Sequence, residues 1–197
     1  VTSGDDSATQ TVTSPDDSIA VTVDFGDGVP TYSVSVDGTT YVTPSELGFD
    51  FQNQQPFGAS ADGDGTALTV SGSERGSEVE RWDPIWDQYD SVREEYNYLR
   101  VGLEEEAIPG RQATLELRVF DDGLGFRVVF PEVFGNSEGD FVITSENTAF
   151  NFADDYTSWW IENRFAQPEG EPGRFEAEYQ ETPLSEIASD TEEQIPG

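Results

Sequence analysis

Carboxylates and tryptophans are the side chains best equipped for chemistry in this sequence. Two runs of adjacent acids stand out, Glu94-Glu95 and Glu104-Glu105-Glu106. Glycoside hydrolysis needs two carboxyl groups about 5 to 9.5 Å apart, one with a raised pKa. With 41 acids in 197 residues, adjacency selects nothing, and both runs are expected to form a solvated acidic face. Asp62-Gly63-Asp64-Gly65-Thr66 has the start of a calcium loop, in which spaced oxygens surround a hard cation. The full loop needs glycine at its sixth position and glutamate at its twelfth. Here those are Ala67 and Ser73, so a plain polar loop is expected. Trp82, Trp86, Trp159 and Trp160 complete the set. A sugar ring lays its C–H face on an indole, so exposed tryptophans can line a saccharide site; the alternative is core or interface packing. Trp159 and Trp160 are neighbours, and neighbours in a strand point to opposite faces. One is expected inside a sandwich, the other free to meet a ligand or a second domain.

Other chemistries are closed. Histidine, cysteine and methionine are absent, which removes disulfides, thiol nucleophiles, cysteine or histidine metal clusters and any histidine base within this chain. All nine basic residues are arginine, and the formal net charge is -32. That charge is spread among well-formed apolar segments, so a folded acidic surface fits better than a disordered acidic tail. A lysine-free acidic surface suits high salt, where screening shortens to about 3 Å. It also disfavours nucleic acid, whose phosphates carry the same sign. No stretch approaches the roughly 18 apolar residues of a membrane span. The chain opens on Val1 without an initiator methionine and reads as a mature, exported product, extracellular or on the cell surface.

The elements that must position these side chains show two-fold alternation. Ile19, Val21, Val23 and Phe25 share one face; Tyr32, Val34 and Val36 share another; Asp37-Gly38 is a hairpin turn, and residues 39–44 are the return strand. Leu47, Phe49 and Phe51 alternate next. After a loop, residues 67–72 form a short strand. Leu115, Leu117 and Val119 alternate toward a turn at Asp121, Asp122 and Gly123, and Phe126, Val128 and Phe130 return. Residues 140–152 supply two short runs around a Ser-Glu-Asn turn. Eight or more short strands at regular spacing mean an all-β protein, a large antiparallel β-sandwich with little helix. The stretch 81–101 is ambiguous. Trp82, Ile85, Trp86, Tyr89, Val92, Tyr96 and Leu99 fit a helix with Pro84 in its first turn, whereas Asn97, Leu99, Val101 and Leu103 alternate like a strand.

"RWDPIWDQYDSVREEYNYLRVGLEE" resembles the W-x-P-V-W-G-E…I-R-x-x-Y-N-E-L-x-V segment of the amino-terminal domain of glycoside hydrolase family 97. In the same order, "SPDDSIAVTV", "TYSVSVDGTTYVTPSELGFDF", "LELRVFDDGLGFRVVFPE", "FVITSENTAFNF", "SWWI" and "YQETPLSEI" resemble further pieces of that domain. The likeness spans roughly residues 14 to 187, and colinear order is its specific feature. Asp87-Gln88 replaces the family's Gly-Glu, and Val128 replaces a frequent tyrosine. The resemblance implies a sandwich related to the galactose mutarotase fold, with residues 94 to 104 as a strand.

It further implies a non-catalytic domain. The family's catalytic acid, and its base or nucleophile, lie on a following (β/α)₈ barrel, and its calcium-ligating glutamate lies in a later segment. No catalytic or metal residue carries over to this chain, and calcium is expected only in an intact α-glucosidase or α-galactosidase. The expected division is a linker or frayed start at 1–14, a sandwich at 15–187, and an acidic tail at 188–197 leading to an absent barrel. That barrel would be an intramolecular partner, and Trp82, Trp86, Trp159 and Trp160 the candidates for its interface or for carbohydrate. The alternatives are a stand-alone carbohydrate-binding module and a cell-surface structural sandwich; a self-contained enzyme is the least favoured.

Overall fold

Apolar residues at every second position dictate flat, one-sided strands, and the structure is built from them. It is a computed structural model and describes residues 2–3, 7–26, 29–58, 65–86, 88–105, 111–135, 141–161 and 178–191. The chain divides into two compact units, Val1–Asn151 and Phe152–Gly197. The first contains β1 (Thr2–Ser3), β2 (Thr9–Thr13), β3 (Ile19–Asp24), β4 (Thr31–Val36), β5 (Thr39–Glu46), β6 (Phe49–Phe51) and β7 (Gln54–Phe57). It continues with β8 (Leu68–Trp82), β9 (Val92–Glu105), β10 (Gln112–Phe120), β11 (Gly123–Val129) and β12 (Ile143–Glu146). The second contains β13 (Thr157–Trp160), β14 (Gln180–Pro183) and the helix α1 (Leu184–Thr191). Among the described residues no helix is long and apolar enough to cross a membrane.

In the first unit two antiparallel sheets face each other across an apolar core. One has the order β1-β8-β9-β10-β11, the other β2-β3-β4-β5, and β12-β6-β7 form a smaller third sheet. Residues 147–151 run beside β5: Ala149 N–H donates to Glu46 O at 2.9 Å and Thr43 N–H to Asn151 O at 2.8 Å. The expected inward faces are the observed ones. Ile19, Val21, Val23 and Phe25 are buried, as are Leu115, Leu117 and Val119, and they meet Leu99, Val101 and Leu103 of β9 in one core cluster. The turn at Asp37 and Gly38 has both residues at positive φ, 49° and 75°, which is what a two-residue hairpin requires. Residues 94–104 are strand, as the resemblance implied, and lie within β9.

Two expectations change. The short strand at 67–72 is the beginning of β8, which runs for fifteen residues. Polar residues fill most of its length, so burial could not announce it; it is held by fourteen register pairs with β9, from Leu68↔Glu105 to Trp82↔Val92. Among the described residues at 141–152 only Ile143–Glu146 is an extended strand, and the second run hydrogen-bonds to β5 without becoming one. Of the plain polar loop expected at 62–66, residues 62–64 lie outside the described residues.

The β2–β3 turn is fixed by its own side chains. Ser14 is fully buried; its hydroxyl accepts from Ile19 N–H at 2.9 Å and donates to Asp16 Oδ1 at 2.6 Å, and Ser18 N–H donates to the same oxygen at 2.9 Å. These donors, the Ser14 hydroxyl first, hold the exposed Asp16 carboxyl at about 2, against an ordinary 3.8. A depressed folded-state pKa adds stability above the unfolded value and loses it as pH falls toward the folded one. The turn is therefore expected to loosen between pH 3.8 and about 2. A carboxyl-detected NMR titration should give Asp16 a midpoint near 2, and a midpoint near 4 would refute the hydrogen-bonded turn.

Among the described residues, burial of charge is concentrated at one place. Arg111 is 2% exposed and Glu105 1% exposed, and Arg111 Nη1 lies 2.8 Å from Glu105 Oε2. Arg111 Nη2 donates to Gln55 O at 2.8 Å, and Gly58 N–H donates to Glu105 Oε1 at 3.0 Å. The guanidinium sits 4.9, 5.5 and 5.7 Å from the ring centres of Phe134, Phe51 and Phe57. Burial lowers the Arg111 pKa, and the Glu105 carboxylate opposes that shift. The pair ties the end of β9 to β7 and to the phenylalanine cluster beneath it.

Candidate functional site

The four tryptophans singled out from sequence fall on two surfaces, one in each unit. The first is the far end of the β8–β9 ribbon. Strand β10 pairs with β9 no further than Val119↔Asn97, so Glu78–Trp82 and Val92–Tyr96 continue as a two-stranded ribbon. Trp82 ends β8 at 46% exposure, and in the connecting loop Ile85 and Trp86 are each 93% exposed and Tyr89 63%. The three-and-four spacing that imitates a helix thus runs from the end of β8 (Trp82) through a loop (Ile85, Trp86, Tyr89) into β9 (Val92, Tyr96, Leu99). None of Trp82, Ile85, Trp86 and Tyr89 is buried in the first unit's core.

Behind the tip, the outer face of the ribbon is tightly organised. Tyr96 and Tyr98 point away from the core yet are buried, under flanking arginines and glutamates. Tyr96 Oη lies 2.6 Å from Glu80 Oε1 and 2.8 Å from Glu78 Oε2, and the Arg118 guanidinium lies over its ring at 4.7 Å. Arg100 lies over Tyr98 at 4.4 Å and bridges Glu74 and Glu116. Burial, then hydrogen bonding to Glu80 and Glu78, raises the Tyr96 phenol well above its ordinary value, so it stays a neutral donor. This layer stiffens the ribbon that carries the tip.

Tyr98 lies directly over Gly76, where an added Cβ would meet its hydroxyl at 2.8 Å and its ring at 3.0 Å. Gly76→Ala is expected to displace the ring and destabilise the chain by about 1–3 kcal/mol. Urea denaturation measures this, and a neutral result would show that Tyr98 does not cover the glycine.

The second surface is the β13–β14 hairpin. Trp159 is 66% exposed, while Trp160 is half-buried and its Nε1–H donates to Thr182 Oγ1 at 2.9 Å. The two indoles take opposite faces, as their adjacency required, but the inner one is half-buried on the second unit's hairpin and is not part of the sandwich core as expected. Asp155 sits at the start of α1, accepting from Ser185 N–H at 2.9 Å and Ser185 Oγ–H at 2.7 Å. These donors, the backbone one first, hold its carboxyl below the usual range. Sequence reasoning missed Tyr89 and Tyr179, the latter 72% exposed. Alternation in the run Glu178-Tyr179-Gln180-Glu181 was the available signal for Tyr179.

The acidic runs do not assemble a reaction centre. Adjacent residues on β9 face opposite sides, so Glu94 and Glu95, or Glu104 and Glu105, cannot converge on one bond. Glu95 pairs with Arg93 at 2.7 Å. Glu105 departs from the expected solvated face, being buried against Arg111, and Glu106 lies outside the described residues. Among the described residues no three acidic or imidazole groups are grouped to hold a metal ion. A groove of about 380 Å³ lies beside Thr11, Thr13, Arg75, Ser77, Asn97 and Tyr98. Its polar groups already brace the two sheets: Asn97 Nδ2 donates to Thr13 O at 2.9 Å and Arg75 Nη1 to Thr11 O at 3.3 Å.

The profile of one family, described as Glycosyl-hydrolase 97 N-terminal, matches residues 12–196. Among solved structures, a glycoside hydrolase family 97 enzyme from Pseudoalteromonas sp. strain K8 in complex with acarbose is 27% identical, with a TM-score of 0.74, covering 90% of this chain and 25% of that one. A single-residue variant of it in complex with panose gives 27% identity and a TM-score of 0.73, covering 89% and 24%. A β-arabinopyranosidase shares the fold at 24% identity and a TM-score of 0.61, covering 77% of this chain and 22% of that one. The chain thus spans about a quarter of the length of the solved enzymes it matches.

Proposed function

The chain belongs to the glycosyl-hydrolase 97 amino-terminal domain family, and we propose that it serves a longer glycosidase as the non-catalytic sandwich that docks on the catalytic barrel and shapes one wall of its sugar pocket. The observation that carries this reading is the ribbon tip. A two-stranded ribbon is marginal by itself, and this one ends in Trp82, Ile85, Trp86 and Tyr89, all exposed. Exposed aromatics clustered at the end of a stiffened element mark a contact surface. The relatives' remaining three quarters of chain supply a partner of suitable size.

Within this chain the role is support. The sandwich is rigid, and loops on a rigid scaffold can be held within reach of a neighbouring cleft. Calcium, which the family resemblance attaches to the intact enzyme, meets no fitting ligand set among the described residues, so nothing in this reading passes through it. The acidic, lysine-free composition supports an exported protein working at high salt.

The test compares this chain alone with the longer protein encoded around it. Hydrogen exchange of residues 82–90 is expected to be fast in the chain alone and strongly slowed in the longer protein. Only the longer protein is expected to hydrolyse an aryl α-glycoside. Equal exchange in both forms sinks the docking role, and hydrolysis by this chain alone sinks the non-catalytic one.

A further inference from the structure

We propose that the β13–β14 hairpin is a saccharide-stacking platform, with Trp159 and Tyr179 as the rings and Glu181 as an acceptor for sugar hydroxyls. The register pairs Trp159 with Glu181 and Trp160 with Gln180. Paired residues project to the same face, and neighbours alternate. Thr157, Trp159 and Glu181 therefore share one face, while Ser158, Trp160, Gln180 and Thr182 share the other; Tyr179 immediately precedes β14 and continues the alternation on the first face. Exposure follows the same division. The four on the first face are exposed, Trp159 by 66% and Tyr179 by 72%, and the four on the other are half-buried.

The back face is anchored, and the side chains of the front face are exposed. Trp160 is fixed by its bond to Thr182. Strand β14 runs directly into α1, whose start is held by Asp155, and Leu184 N–H donates to Tyr156 O at 3.0 Å. This second-unit framework orders both strands before any ligand arrives, which lowers the entropic cost of binding.

The chemistry of the face selects its occupant. Trp and Tyr rings present apolar faces with polar edges, which suits the C–H face of a pyranose. A carboxylate only accepts hydrogen bonds, and sugar hydroxyls donate them. A net charge of -32 rejects anionic ligands and nucleic acid. A specific protein interface needs about 800 Å² per side. The two rings together offer at most about 300–500 Å². The ligand that fits is a neutral pyranose oligosaccharide of a few rings. The choice of ligand class rests on the glycosidase reading above; the geometry of the hairpin does not.

The experiment is a titration of this 197-residue chain with maltotriose and with galactose, followed by tryptophan fluorescence and calorimetry. Saturable binding is expected with a Kd of roughly millimolar size. Trp159→Ala and Tyr179→Ala should each weaken it about tenfold. Glu181→Gln should weaken it less, and Val133→Ser on the first unit should leave it unchanged. Trp159→Tyr keeps a ring and should retain most of the affinity, which separates lost stacking from a misfolded hairpin. No saturable signal up to about 50 mM of either sugar, or binding by Trp159→Ala equal to the parent, overturns the platform. Failure here with slowed exchange of residues 82–90 in the longer protein leaves the docking role standing. Sugar binding without that slowed exchange leaves the platform and removes the docking role.

Discussion

Arg111→Ala is expected to destabilise the chain by about 3–5 kcal/mol, because it strands a buried carboxylate. Glu105 is 1% exposed, and the guanidinium is its ionic partner at 2.8 Å. Removing it also deprives the carbonyls of Gln55 and Pro56 of their donors. Each kcal/mol moves the melting temperature of a domain this size by roughly 2–4 °C, so a fall of about 10 °C or more is expected. Glu105→Ala should cost a similar amount by leaving the cation unpaired. The double change Glu105→Leu with Arg111→Met should cost less than the sum of the single changes, since the pair is needed mainly because each half is present. Urea denaturation of the four proteins gives the coupling directly. A single-variant cost under about 1 kcal/mol would mean the site is wet and the pair is ordinary surface decoration.

Salt should change the stability of the whole chain. Arg93, Arg100, Arg111, Arg118 and Arg127 each have a carboxylate partner. At least five of the nine positive charges are thus held in local pairs, against 41 acids in the chain. The screening length is about 30 Å at 0.01 M salt and about 3 Å at 1 M. On dilution each carboxylate begins to sense many neighbours. If that repulsion costs a few kcal/mol, the melting temperature falls by roughly 10 °C between the two conditions. Circular dichroism melts in 0.01 M and 1 M sodium chloride (~two extremes of screening) measure it. A melting temperature that does not move would show that the acids are spaced or paired well enough to need no screening, and would remove the support for a high-salt setting.

The two surfaces differ in how readable they were. Trp159 and Trp160 were legible because adjacency in a strand forces opposite faces, and the hairpin places one indole outward and the other against Thr182. Trp82 and Trp86 were legible as candidates, but their setting was not: helical spacing and strand composition gave conflicting signals, and the segment resolved into a strand end and an exposed loop. Tyr96 and Tyr98 were unreadable as buried residues, since their outward face should be wet. Cover comes from Arg100 on β9 itself and from Arg118 and glutamates on the neighbouring strands β10 and β8, and the cross-strand part of it no local pattern reveals. Glu105 was misread for the same reason, as one of many acids.

Alternation of apolar side chains determined the sandwich, its inward faces and its tight turns by itself, because a strand's two-residue period is a local property written directly into sequence. Composition likewise determined the surface charge and ruled out thiol and imidazole chemistry. Only the tertiary structure decided that β8 extends through fifteen mostly polar residues, that one glutamate and one arginine are buried together, and that Trp159 and Glu181 pair across a hairpin. Those outcomes depend on which strand lies alongside which. That pairing is fixed by the summed contacts of distant segments, and no single segment carries it.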